Sequence, residues 1–92
     1  MATIIKTDGT KISVCPKNGK DFKLDELREI VKGYIEIIRL GSDRYMVINE
    51  EGKLENLPIN DAATKEAINS CAIFANDYIV GDVLVCGKKQ IK

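Results

Sequence analysis

The sequence predicts an α+β fold, in which a small antiparallel sheet of hairpins packs with one amphipathic helix and one short helix. Two β-rich runs, residues 2–7 and 10–15, flank Asp8-Gly9, and Asp-Gly in this position is a strong hairpin signal. Apolar residues then recur at helical spacing over residues 24–32. The length of 92 residues suits one domain, so we expect residues 1–92 to fold as a unit.

The first hairpin is expected to close through a type I′ turn, which needs positive φ at both Asp8 and Gly9. Pro16 should end the second strand because it has no N–H group to give to a neighbouring strand. Residues 17–20 are predicted to form a further turn.

The helix over residues 24–32 is predicted from one stripe of apolar residues: Leu24, Leu27, Ile30 and Val31. Asp25 and Glu26 lie in its first turn, where the helix dipole favours anions. Lys32 suits the last turn. Gly33 is expected to take the left-handed conformation that ends the helix.

A second hairpin is predicted from β-rich runs at residues 34–40 and 44–49, which are joined by a turn at 41–43. Both faces of the first run are apolar, so we expect it to be a central strand. Residues 49–53 should form a turn with Gly52 in the left-handed conformation, and residues 54–57 a short strand.

The short helix is expected at about residues 61–71, with Asn60 or Asp61 as its N-cap. The fully apolar run over residues 83–86 predicts a short strand that is either central or tucked under the helix. The basic tail, residues 87–92, is expected to be frayed.

The composition argues against several classes of function. The 14 basic and 14 acidic side chains cancel, which is unlike a general nucleic-acid binder. No stretch approaches the ~20 apolar residues of a membrane span, and no N-terminal signal is present, so we expect a cytoplasmic protein. Cys15, Cys71 and Cys86 form no Cys-x-x-Cys pair and are expected to be buried free thiols.

The chain contains no histidine, which removes Ser–His and Cys–His nucleophilic catalysis and nearly all zinc enzymes. No nucleophile–base pair and no glycine-rich phosphate loop can be assembled from the sequence. We therefore expect no catalytic residues, no metal and no cofactor.

Four short motifs follow one another along the chain. They are Gly33-Tyr34-Ile35-Glu36, Asn49-Glu50-Glu51-Gly52-Lys53-Leu54, Leu57-Pro58-Ile59-Asn60 with Ala63-Thr64, and Ile79-Val80-Gly81-Asp82-Val83-Leu84-Val85. Together they resemble the signature of the family called domain of unknown function 3846, over roughly residues 9–86. That family consists of small proteins from phages, prophages and conjugative elements, with no established activity. The resemblance implies a mobile-element origin and a host cytoplasm.

Two positions depart from the family pattern. Lys23 stands where Ser or Thr often caps the helix, which should weaken the helix start by up to about 1 kcal/mol. Lys32 stands where a second glycine often precedes Gly33.

Five residues are candidates for a binding site. Glu36 would be partly buried on a central strand, where it either forms an ion pair or orients a ligand. Asn60 and Thr64 lie one turn apart at a helix start, and either cap the helix or fix an anion. Asp82 either stabilises a turn or contacts the ligand, and Tyr34 either packs at the core edge or stacks on a nucleobase.

These features lead to two alternative functions. The first is a small non-enzymatic module that binds a host protein through an exposed sheet edge or hairpin, to modulate or counter a host process. The second is a protein that sequesters a small molecule, such as a nucleotide. An exposed apolar patch would favour the first, and a concave pocket with convergent polar groups at a homodimer interface the second.

Overall fold

The computed structural model describes residues 2–91 and confirms the α+β class. In chain order the elements are β1 (Ala2–Ile5), β2 (Lys11–Val14), α1 (Leu24–Val31), β3 (Ile35–Leu40), β4 (Arg44–Asn49), α2 (Asp61–Asn69), β5 (Val83–Gly87) and a 3₁₀ turn at Lys88–Gln90. The strands form a single antiparallel sheet in the order β2-β1-β5-β4-β3. The central position, one of the two expected for β5, is confirmed.

The two helices lie on opposite faces of the sheet. On the α1 face the buried core residues are Ala2, Phe22, Leu27, Val31, Val47, Leu84 and Cys86. On the α2 face they are Ile5, Leu40, Met46, Ala63, Ala67, Ile79 and Val83. Neighbouring residues such as Met46 and Val47 belong to different cores because successive side chains of a strand alternate between faces.

The prediction that residues 34–40 form a central strand is wrong. β3 is the outer strand beside β4, and β5 and β1 fill the middle of the sheet. Both faces of the sheet are covered, by α1 on one side and by α2 with the loop after it on the other, so even this outer strand has apolar side chains on both sides. Ile35 packs in the core of the α1 face and Ile38 in that of the α2 face.

The first hairpin is confirmed, but its turn is not type I′. Only Gly9 has a positive φ, of 91°, and the Gly9 N–H donates to the Lys6 carbonyl at 2.9 Å. The Asp8 carboxylate accepts the Thr10 N–H at 2.9 Å. The strand pairing ends at Ile5 and Lys11, so the loop is longer than the two residues that would require a type I′ turn.

The end of α1 also differs from the prediction. Lys32, with φ of 63°, takes the left-handed conformation that was expected of Gly33, and both N–H groups donate to the Arg28 carbonyl. Gly33 is needed for a different reason, since a Cβ atom there would lie 2.7 Å from Nδ2 of Asn49. Leu24, which is 58% exposed, does not contribute to the buried stripe.

Glu26 stabilises the start of α1. The Lys23 side chain makes no capping bond. Instead, the buried Glu26 carboxylate accepts the N–H groups of Lys23 at 2.8 Å and Lys17 at 2.9 Å. These two bonds favour the charged carboxylate and hold the pKa of Glu26 below its ordinary value.

Glu26→Gln is therefore expected to lower the melting temperature most at about pH 7 and least at about pH 3. A carboxyl group with a depressed pKa stabilises the fold above its unfolded-state pKa, and this contribution is lost as the pH falls through the folded-state pKa. Thermal unfolding at both pH values measures the effect, with exposed Glu29→Gln as control. A gap between wild type and Glu26→Gln that is equal at both pH values would contradict this role.

Three local predictions are wrong in the second half of the chain. Residues 54–56 form a turn, and Leu57 follows it outside any strand. Gly52 does not have a positive φ, but a Cβ atom there would lie 2.7 Å from Cγ2 of Val80. The tail is ordered as far as residue 91, because Ile91 bridges to Phe22 and packs against the core of the α1 face. Lys92 lies outside the described residues.

The cysteine prediction holds for one residue of three. Cys86 is buried under α1, and this burial raises the pKa of its thiol to about 11. Cys15 and Cys71 are free but exposed. Neither helix within residues 2–91 has the length and apolar character needed to cross a bilayer.

Candidate functional site

The outer edge of β3 has backbone hydrogen-bonding groups that the sheet leaves unpaired. The Glu50 N–H donates to the Tyr34 carbonyl at 2.9 Å, and bonding alternates along an antiparallel pair. The even-numbered residues of β3 therefore face β4. Ile35, Ile37 and Arg39 direct their N–H and C=O groups away from the sheet, where no strand of the described chain pairs with them.

The two edges of the sheet are protected to different degrees. β2, at the opposite edge, has only four residues, begins with Lys11 and is soon followed by Pro16. β3 has six residues, contains neither lysine nor proline, and leaves Ile37 41% exposed. Short length, lysine and proline are devices that prevent a sheet from accepting a further strand. The β3 edge lacks all three, although its exposed Glu36 and Arg39 are charged and give it part of the same protection.

A cavity of about 260 Å³ lies beside β3 on the α2 face. We call it the edge cavity, and its lining comes from β3, from β4 and its following turn, and from the loop after α2. Its apolar lining includes five half-buried or buried residues, Ile38, Ile48, Ile73, Ile79 and Val80. Its polar lining is Glu36, Asn49, Glu50, Lys53, Asp77 and Tyr78.

Lys53 is held at this cavity by two contacts. Its ammonium lies 2.6 Å from Oδ1 of Asp77 and 4.4 Å from the centre of the Tyr78 ring. The hydrogen bond between Lys53 and Asp77 raises the pKa of Lys53 and lowers that of Asp77. The lining contains three acidic residues, Glu36, Glu50 and Asp77, and one basic residue, Lys53, so it carries a net charge of −3 + 1 = −2.

Large apolar side chains are exposed around the edge cavity. Leu54 is 81% exposed, Phe74 83% and Tyr78 42%. Leu54 and Tyr78 line the cavity, and Phe74 directly follows Ile73, another lining residue. Apolar side chains grouped beside an unpaired strand are typical of a protein-interaction surface.

The structure places the predicted binding residues in separate surroundings. Glu36 lines the edge cavity, but it is exposed on an outer strand and not partly buried on a central one. Tyr34 is 60% exposed, with the Arg28 guanidinium 4.7 Å from its ring centre. Asp82 accepts the Thr7 N–H at 3.1 Å and therefore connects to the end of β1.

Asn60 is fully buried and caps α2, as one of the two sequence interpretations proposed. Its side-chain oxygen accepts the Ala63 N–H at 3.0 Å. Its amide group donates to the carbonyls of Ile5 and Gly81, each at 2.9 Å. Asn60 therefore connects the end of β1, the start of α2 and Gly81, which lies two residues before β5.

Thr64 completes this buried network. Its hydroxyl donates to the Asn60 carbonyl at 2.8 Å and accepts the Ile79 N–H at 2.9 Å. The side-chain polar atoms of Asn60 and Thr64 all have hydrogen-bond partners within the protein. These bonds position α2 against the sheet.

A second groove, of about 370 Å³, lies between α1 and the first hairpin. Asp82 lines this groove and not the edge cavity. The net charge of the groove lining is 3 − 3 = 0, because Lys6, Lys17 and Lys32 balance Glu26, Glu29 and Asp82. Glu26 and Asp82 are already engaged with backbone N–H groups, whereas the side chains of Glu29 and the three lysines form none of these bonds. Across residues 2–91, no group of three or more His, Cys, Asp or Glu side chains could hold a metal ion.

The family model called domain of unknown function 3846 matches residues 2–91, nearly the whole chain. The chain belongs to this family. A search of the curated proteins and a search of the solved structures find no match to it.

In this member of the domain of unknown function 3846 family, the sequence motifs divide between two places. Glu36, Lys53 and Ile79 come from three different motifs, and all line the edge cavity. The motif that contains Asn60 and Thr64 forms the buried cap of α2. Sequence reasoning missed Lys53, Asp77 and Tyr78. Lys53 stands in the Asn49–Leu54 motif, and Asp77 and Tyr78 end a segment without strand periodicity, residues 72–78.

Proposed function

We propose that the protein is a non-enzymatic phage or mobile-element module that binds a host protein in the host cytoplasm and so modulates or counters a host process. Binding occurs by strand addition, in which an extended segment of the partner pairs with the edge of β3. The unpaired N–H and C=O groups of Ile35, Ile37 and Arg39 support this proposal most directly.

The edge cavity supplies the selectivity of this interaction. In strand addition, main-chain hydrogen bonds provide affinity and pockets for alternate side chains provide specificity. Partner residues opposite Glu36 and Ile38 would point to the α2 face, since directly opposed residues of an antiparallel pair share a face. Glu36 and Ile38 both line the edge cavity, so these partner side chains would meet it.

The alternative, sequestration of a small molecule, has less support. It requires Tyr34, Glu36, Asn60, Thr64 and Asp82 to converge, whereas Glu36 and Asp82 line different cavities. The exposed Leu54 and Phe74 are apolar surface of the kind that favours a protein-interaction module.

A selection from random peptides of about seven residues, long enough to pair along the whole of β3, tests strand addition. Backbone NMR shifts of the protein, recorded with a selected peptide, locate the binding surface. We expect the largest shifts in β3 and in the loops that contain Leu54 and Phe74. Shifts confined to β2 or to the groove beside α1 would contradict the proposal, as would a failure to select any peptide.

A further inference from the structure

We infer that the partner strand carries a basic side chain, arginine or lysine, that enters the edge cavity. This inference rests on the proposed strand addition at β3. It identifies the partner by its chemistry, as an extended segment with one basic residue directed to the α2 face.

The charge of the edge cavity favours a cation. Glu36, Glu50 and Asp77 outnumber the single ammonium of Lys53, which leaves the net charge of −2. Long basic side chains also match the rest of the lining, because their methylene stems can cover apolar surface while the charged head remains at the rim. The stem would pack on residues such as Ile38 and Ile73, and the head would reach the carboxylates.

Lys53 shows how a cation fits this place. Its ammonium is bonded to Asp77 and lies over the Tyr78 ring, so a carboxylate and an aromatic face already converge on one positive charge. The Lys53 side chain is about half exposed, which lets it leave at little cost. A basic side chain of the partner would take this position from one side while Lys53 turns toward solvent.

A second copy of the chain does not meet this requirement. If two β3 strands paired antiparallel, the outward residues Ile35, Ile37 and Arg39 would oppose one another. Arg39 of the second copy would then lie on the α1 face, the side to which Ile35 points. The edge cavity is on the other face, so its charge is complementary to a different protein.

The composition of the selected peptides tests this inference. We expect one arginine or lysine position among peptides that bind β3, and its replacement by glutamine should weaken binding about five- to tenfold. Lys53→Gln removes the internal competitor, so it should tighten the basic peptide about threefold and leave its glutamine version unchanged. The double variant Glu36→Gln with Asp77→Asn should abolish the difference between the two peptides.

Each other outcome counts against the inference. Peptides that bind β3 without any basic preference would overturn it and leave strand addition intact. A failure of every peptide to bind β3 would overturn both. Weaker binding of the basic peptide to Lys53→Gln would mean that Lys53 contacts the partner and does not compete with it. Self-association that peptides fail to displace would identify a second copy as the occupant.

Discussion

Asn60→Ala is expected to lower the free energy of unfolding by about 3 kcal/mol, the largest effect that we expect of any single polar residue. The change removes the helix cap and leaves the Ile5 and Gly81 carbonyls and the Ala63 N–H buried without their partner. An orphaned buried group costs more than the net gain of a normal hydrogen bond. Urea unfolding of wild type and variant measures the difference.

Two variants serve as controls for Asn60. Asn60→Asp keeps the capping oxygen but loses both donated bonds and brings a carboxylate against two carbonyls, so it should also destabilise the fold. Asp61→Ala, at the exposed neighbour, should change the free energy of unfolding by less than about 0.5 kcal/mol. If Asn60→Ala were as stable as wild type but lost a bound small molecule, Asn60 would be a ligand residue and our structural account of it would be wrong.

Ile37→Pro is expected to abolish peptide binding, with a loss of affinity of at least about tenfold, while the protein stays folded. Proline removes the central outward N–H of β3 and puts a ring in the path of an added strand. The sheet itself does not use this N–H, because Ile37 faces away from β4. Calorimetric titration with a selected peptide measures the loss, and circular dichroism verifies the fold.

The matched control is Ile37→Thr, which keeps both the N–H group and a β-branched side chain. It should retain most of the affinity. Ile38→Pro provides the opposite comparison, since the Ile38 N–H faces β4 and its loss should destabilise the whole sheet. Unchanged peptide binding by folded Ile37→Pro would rule out strand addition at β3.

Local features of the fold were predictable from the sequence. The hairpin at Asp8-Gly9, the stripe of Leu27 and Val31, and the cap at Asn60 depend on residues close in the chain. The strand order was not predictable, because β1 pairs with β5 across most of the sequence. Apolar residues on both faces of β3 were mistaken for a central position, although they reflect a sheet that is covered on both faces.

The candidate site was predictable only in part. Glu36 was identified as a residue of interest, but its cavity also needs Lys53 from a turn and Asp77 from the loop after α2. These residues meet through tertiary packing, which leaves no periodic signal in the sequence. Gly52 was expected to take the left-handed conformation of its turn, whereas its φ is not positive and its role is the close approach of Val80.

Hydrogen exchange at the β3 amides tests the central claim, that β3 has a free edge that accepts a strand. In dilute free protein, the amides of Ile35, Ile37 and Arg39 should exchange rapidly, while those of Glu36, Ile38 and Leu40 are protected by β4. Saturation with a selected peptide should protect the first three. If those three amides were already protected in the free protein, or stayed unprotected at saturation, the edge of β3 would not be the binding site.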